Sequence, residues 1–274
     1  VEAVRALGLE PVVYPSCRPE HRRGYLAAPD PVRAGDIQAA FCDNSIAGVL
    51  CIRGGYGANR ILPLLDWAAI ARHPKVFAGY SDITALHIVL NQRCGLVTYH
   101  TIMPSTEYWE PVDPFSLGGL RRAPVGGLTG VLPLPEGAVP VPLAPGRAEG
   151  VLCGGNLTLV CASLGTPWEI DTRGKLLFLE DIGEKQRRID AMLTQLRNAG
   201  KFADCAGVIL GAWTDCPEEE GDLPLEESFR ELILPAGKPV LAGVPCGHVL
   251  PTWSLPLGAR AVLDAGAGRL EVLS

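Results

Sequence analysis

Between residues 47 and 99, short apolar runs alternate with segments of helical period. That alternation restricts the fold more than any other feature of the chain. Residues 47–52, 75–79 and 95–99 are of strand length, bounded by turn residues, and too uniformly apolar for a sheet with one wet face. The stretch 58–72 carries Ile61, Leu62, Leu65 and Ile70, and 83–92 carries Ile83, Leu86 and Leu90, at the spacing of a helix face. Strands and helices in strict turn predict a parallel sheet covered by helices. Upstream, 33–43 reads as a helix and 10–14 as a strand. Residues 1–8 read as the end of a helix closed by Gly8, so the pattern expects a further strand ahead of Val1.

Prolines crowd the stretch from Met103 to Gly150, among them Pro104, Pro111, Pro124, Pro133 and Pro142, and the texture is that of a linker. Beyond it, 175–179, 206–211 and 239–243 read as strands. Residues 184–199 form an amphipathic helix with Ile189, Met192, Leu193 and Leu196 on one face, and two short strands close the chain. The fold class expected is α/β. A parallel, doubly wound, flavodoxin-like N-terminal domain (1–103) leads through a Pro/Gly-rich linker (104–150) to a β-rich α/β domain (151–274). No apolar run approaches the roughly 20 residues of a membrane span. A net charge of −6 argues against a nucleic-acid surface. The nine cysteines are scattered, without C-x-x-C spacing, so they point to a reducing compartment and to neither a disulfide framework nor a metal site.

Ser81 falls in the turn between the run 75–79 and the helix 83–92. A hydroxyl there stands at the carboxyl edge of the sheet beside the amides of a helix N-terminus, as a nucleophile with an oxyanion site requires. Gly79-Tyr80-Ser81-Asp82-Ile83 is not G-x-S-x-G, and Ser81 or Asp82 serves equally well as a helix cap. After the run 47–52, Arg53-Gly54-Gly55-Tyr56-Gly57 is either a tight glycine turn or a loop whose amides approach a ligand. Of the five histidines, His21 and His73 read as exposed and His87 as packed in its helix. His100 and His248 follow strands, in reach of a sheet edge. Glu180 ends the apolar run 175–179, where a carboxylate can accept a histidine N–H; Asp181 and Glu184 are rivals for that part or caps of the next helix. Cys246 lies two residues from His248, which raises a cysteine nucleophile as an alternative.

Five segments in this order resemble the L,D-carboxypeptidases of murein recycling, a group that includes the microcin C self-immunity peptidases. They are Arg53-Gly54-Gly55-Tyr56-Gly57-Ala58-Asn59-Arg60, Gly79-Tyr80-Ser81-Asp82, Gly154-Gly155-Asn156-Leu157, Phe178-Leu179-Glu180-Asp181 and Gly247-His248. The resemblance implies a serine peptidase without metal or cofactor, with Ser81, Glu180 and His248 as its triad. It implies oxyanion donors in the Gly54-Gly55 loop and at Asp82, and substrate contacts at Arg53, Tyr56, Asn156 and His100. It further implies a cytoplasmic homodimer whose partner is a small peptide: the bond cut joins the L-centre of a diamino acid to a terminal D-Ala in murein tetrapeptides. Many members carry His-Gly-Pro-Met where this chain has His100-Thr101-Ile102-Met103. Two other functions fit the same residues: a self-immunity peptidase acting on a peptidyl-nucleotide, and a non-enzymatic binding protein for small ligands. With nucleophile and partners on different halves, closure of the halves is expected to tune activity.

Overall fold

The alternation of strands and helices over residues 47–94 is present, but the stretch 58–72 read as one helix is broken at Pro63 into Ala58–Ile61, a 3-10 turn Leu62–Leu64 and Trp67–Arg72. The computed structural model describes residues 1–104, 112–123 and 127–274. Strands β1 (Gly48–Leu50), β2 (Val76–Gly79) and β3 (Thr98–His100) pair in parallel, with Val49 beside Phe77 and Gly79 beside His100. Helix Thr84–Cys94 follows β2 and ends at Gly95, in the left-handed region. Phe41, Phe77, Ile70 and Leu90 are buried together around this sheet.

The segment read as linker is built into the fold. It supplies β4 (Gly130–Val131), β5 (Val141–Ala144) and helix Pro114–Arg122, capped by Asp113 through the amide of Ser116. The second sheet adds β6 (Arg147–Asn156), β7 (Leu176–Ile182), β8 (Gly207–Thr214) and β9 (Val240–Ala242). After β10 (Leu255–Leu257) come its last strands, β11 (Arg260–Asp264) and β12 (Arg269–Val272). Its order is β4-β12-β11-β6-β7-β8-β9-β5, parallel from β6 to β9 and antiparallel outside them. Strands β4 and β5 occupy its two edges, and Pro142 lies in β5, where a missing N–H costs no ladder bond. Pro111 and Pro124 lie outside the described residues.

Two observations depart from the linear pattern. Residues 10–14 form no strand: Val12 and Val13 are exposed, and no neighbouring strand takes their backbone groups among the described residues. Strand β10 leaves the second half of the chain and pairs antiparallel with β3, Leu255 beside His100, so the first sheet reads β1-β2-β3-β10.

Side chains of β7 alternate between two cores. Leu177 and Leu179 pack with Ile189, Leu193 and Leu196 of helix Gln186–Asn198, all with no exposed surface. Burying each such side chain is worth roughly 1.5–3 kcal/mol. Leu176 and Phe178 face the opposite way, with Leu255 and Leu257 of β10. Glu180 continues the face of Phe178, toward the first sheet. Among the described residues no helix is long and apolar enough to cross a membrane.

Candidate active site

The Ser81 turn is sharp. Ser81 has φ 66°, a left-handed conformation that costs a non-glycine residue about 1–3 kcal/mol. Three contacts hold it. Nε2 of His87 lies 2.9 Å from the carbonyl oxygen of Gly79, which only accepts, so this nitrogen carries the proton; Nδ1 accepts from Thr98 Oγ1 at 2.8 Å. His87 is thus a neutral, fully bonded brace behind the turn, its pKa pushed down to about 4 by burial. The carboxylate of Asp82 accepts from the amide of Ala58 at 2.9 Å, so it caps helix Ala58–Ile61 after the glycine loop and leaves its own helix uncapped. Burial raises its pKa, against the amides of Ala58 and Gly57. Finally, Gly54 abuts the serine: a Cβ there would lie 2.8 Å from Ser81 Cβ, 3.0 Å from Oγ and 3.4 Å from the amide nitrogen of Asp82. The backbones of Gly54 and Asp82 therefore flank the half-buried hydroxyl, an arrangement that can stabilise an oxyanion.

Glu180 and His248 meet directly. Nδ1 of His248 donates to Oε2 of Glu180 at 2.7 Å, with both side chains buried. A carboxylate only accepts, so Nδ1 holds the proton of this bond. Gly247 is required here. Its φ is 122°, and a Cβ would sit 2.6 Å from Oε2 of Glu180. Thr214 Oγ1 donates to the carbonyl oxygen of His248. The ring of His248 packs on Tyr80, the residue before Ser81, at 4.7 Å between centroids. The rivals are engaged elsewhere: Asp181 accepts from Asn156 Nδ2 and from the amide and hydroxyl of Thr158, and Glu184 pairs with Arg188. Cys246 is fully buried, and burial beside Glu180 pushes its thiol well up, away from the nucleophilic thiolate.

The remaining expected contacts divide by exposure. Arg53 and Tyr56 stand at the surface of the glycine loop; the Arg53 guanidinium lies 3.5 Å from where a Gly55 Cβ would be. Asn156 is spent on the fold. It caps helix Leu157–Ser163 through the amide of Leu159, donates to Asp181, and its backbone N–H donates to Thr84 Oγ1 on the serine helix. His100 is buried between Tyr80 and Phe178, its two ring nitrogens without partners among the described residues. A residue enclosed in this way is a wall behind the turn. His87, Tyr80 and Thr84 also shape the site. Their positions in the serine helix and turn were visible in the sequence, but their partners Thr98, His248 and Asn156 are remote in the chain. Among the described residues no group of three or more His, Cys, Asp or Glu side chains is arranged to hold a metal ion.

The profile of the LD-carboxypeptidase N-terminal domain matches residues 1–101, and that of the LD-carboxypeptidase C-terminal domain matches residues 149–263. The chain is similar to a probable murein peptide carboxypeptidase of Bacillus subtilis, 42% identical over 94% of this chain and 81% of the relative. It is 28% identical to the microcin C7 self-immunity protein of Escherichia coli, over 85% of this chain and 75% of that one. The crystal structure of muramoyltetrapeptide carboxypeptidase from Oxalobacter formigenes superposes with a TM-score of 0.84 at 28% identity, covering 99% of this chain and 91% of that one.

Proposed function

The chain belongs to the LD-carboxypeptidase family, a family of serine-type peptidases, and from that premise we propose that it removes the terminal D-Ala from murein tetrapeptides, including muramoyl-linked ones, by a Ser81–His248–Glu180 triad. The observation that carries this reading is the buried His248–Glu180 hydrogen bond beside the strained Ser81 turn. Ser81 Oγ attacks the carbonyl carbon of the diamino acid residue while Nε2 of His248 takes its proton. Glu180 holds the ring and stabilises the imidazolium. The amides at Gly54, Gly55 and Asp82 stabilise the tetrahedral oxyanion. His248 then protonates the departing D-Ala amine, and water, deprotonated by the same nitrogen, hydrolyses the acyl-enzyme. Arg53 is the exposed cation on the glycine loop and is assigned the terminal carboxylate. The resemblance that supports this reading carries a homodimer with it, which sedimentation at micromolar concentration checks.

The test is turnover of a tetrapeptide ending in D-Ala. Ser81→Ala is expected to lose at least roughly 10⁴-fold in kcat. Cleavage at near wild-type rate by that variant sinks the mechanism. A peptidyl-nucleotide substrate is the second reading, favoured by the likeness to the self-immunity protein. Release of the nucleotide moiety from such a compound at a higher kcat/KM than D-Ala release would overturn the first.

A further inference from the structure

Two exposed tyrosines stand on the glycine loop and on the turn packed beside it. Tyr25 is 75% exposed and Tyr56 61%, and their rings meet edge to face, 5.6 Å apart and 69° inclined. The backbone that carries each is braced. Tyr25 tops a two-residue turn closed by reciprocal backbone hydrogen bonds between Arg23 and Leu26, with Gly24 at φ 58°. Leu26 anchors that turn in the core. Arg33, itself largely buried, donates to the carbonyls of Ala28 and Gly57 and to Asp30. Asp30 also receives a two-pronged contact from Arg60, and the guanidiniums of Arg60 and Arg33 hold its carboxyl down at about 2. The Tyr25 turn and the glycine loop are thereby clamped together.

An aromatic pair left in water contributes little to folding and is shaped like a binding surface. We propose that Tyr25 and Tyr56 form a corner that receives the pyranose ring of the substrate's muramoyl group. This rests on the muramoyl-tetrapeptide reading above. Tyr56 lies two residues from Gly54, which abuts Ser81, so its Cα stands within about 7 Å of that glycine. In a muramoyl tetrapeptide the sugar precedes the scissile bond by three residues, about 10–11 Å when extended. A pyranose presents C–H faces to one ring of such a corner and hydroxyl or acetamido edges to the other ring's phenol. Exposed Arg22, Arg23 and Arg53 surround the corner with positive charge, complementary to the carboxylates of the peptide stem.

The experiment compares kcat/KM for N-acetylmuramoyl-tetrapeptide and for the free tetrapeptide. Tyr25→Ala is expected to lower the ratio of the two about tenfold, mainly through KM, with Tyr25→Phe retaining most of it. A ratio within twofold of wild type in Tyr25→Ala overturns the proposal. Calorimetric titration of the wild-type protein with N-acetylmuramoyl dipeptide, which has no scissile bond, supplies a readout independent of turnover. Binding lost in Tyr25→Ala supports the corner even if the carboxypeptidase assignment fails, and binding equal in both proteins overturns it.

Discussion

Gly54 and Gly247 carry no functional group, yet each limits the site more tightly than most of the side chains around it. A methyl at Gly54 meets Ser81 Cβ at 2.8 Å, and the serine turn, already in a strained backbone conformation, cannot retreat without losing its place beside Asp82. Gly54→Ala is therefore expected to lower kcat about 10²–10³-fold, the cost of losing one oxyanion donor, with the circular dichroism spectrum unchanged. Normal turnover in that variant would remove the glycine loop from the oxyanion site. At Cys246 the expectation is the reverse. Its thiol is enclosed and its thiolate disfavoured, so iodoacetamide leaves native activity intact; inactivation by a label mapped to Cys246 would contradict the serine assignment.

At the scale of elements, the unit β2–turn–helix Thr84–Cys94 stores a pH dependence. His87 is neutral in the fold, with its pKa near 4 against 6.5 in a solvated chain. Above pH 6.5 neither state binds the proton and nothing is lost. Between 6.5 and about 4 only the unfolded chain takes it, so stability falls as pH falls, by about 3 kcal/mol over the window. Burial and the neighbouring His87 and His248 depress the pKa of His100 in the same direction. Urea midpoints measured from pH 7.5 to 4.5 should fall in the wild type, and the slope should flatten in His87→Gln. An equal slope in both would show that His87 is not the group concerned.

The whole molecule is sewn through the serine helix and β10. Asn91 Nδ2 donates to the carbonyl of Leu257, Thr101 and Ser254 share a hydroxyl hydrogen bond, and Asn156 donates to Thr84. Three residues after β10 the chain enters the second sheet as β11. A strand shared in this way couples the two halves, and the expected consequence is a single unfolding transition. Urea curves followed by tryptophan fluorescence and by far-ultraviolet circular dichroism should coincide. Two separated transitions would mean that the halves fold independently. The same seam holds β3 against β10 from the second half of the chain, and the ring of His248 packs on Tyr80 beside the serine turn.

From the amino-acid order alone, the α/β alternation, the amphipathic helix over Ile189 and Leu193, and the elbow position of Ser81 follow, because each rests on side-chain period or on the backbone freedom of a few adjacent residues. The choice of Glu180 over Asp181 and Glu184 does not follow. Three carboxylates within five residues have equal claims until strand alternation points Glu180 at the first sheet and helix capping occupies Asp181. Residues 10–14 have the local character of a strand, but pairing needs a neighbour and none stands beside them among the described residues. The prolines of 104–150 suggested a linker, whereas an edge position in a sheet tolerates them equally well. Local pattern thus determined the alternation of strands and helices in residues 47–94, the helix over Ile189 and Leu193, and the turn in which Ser81 stands. Which groups meet across 68 residues at the His248–Glu180 bond, or 153 at Thr101–Ser254, was decided only by packing, since a contact between distant residues leaves no trace in either residue's neighbours along the chain.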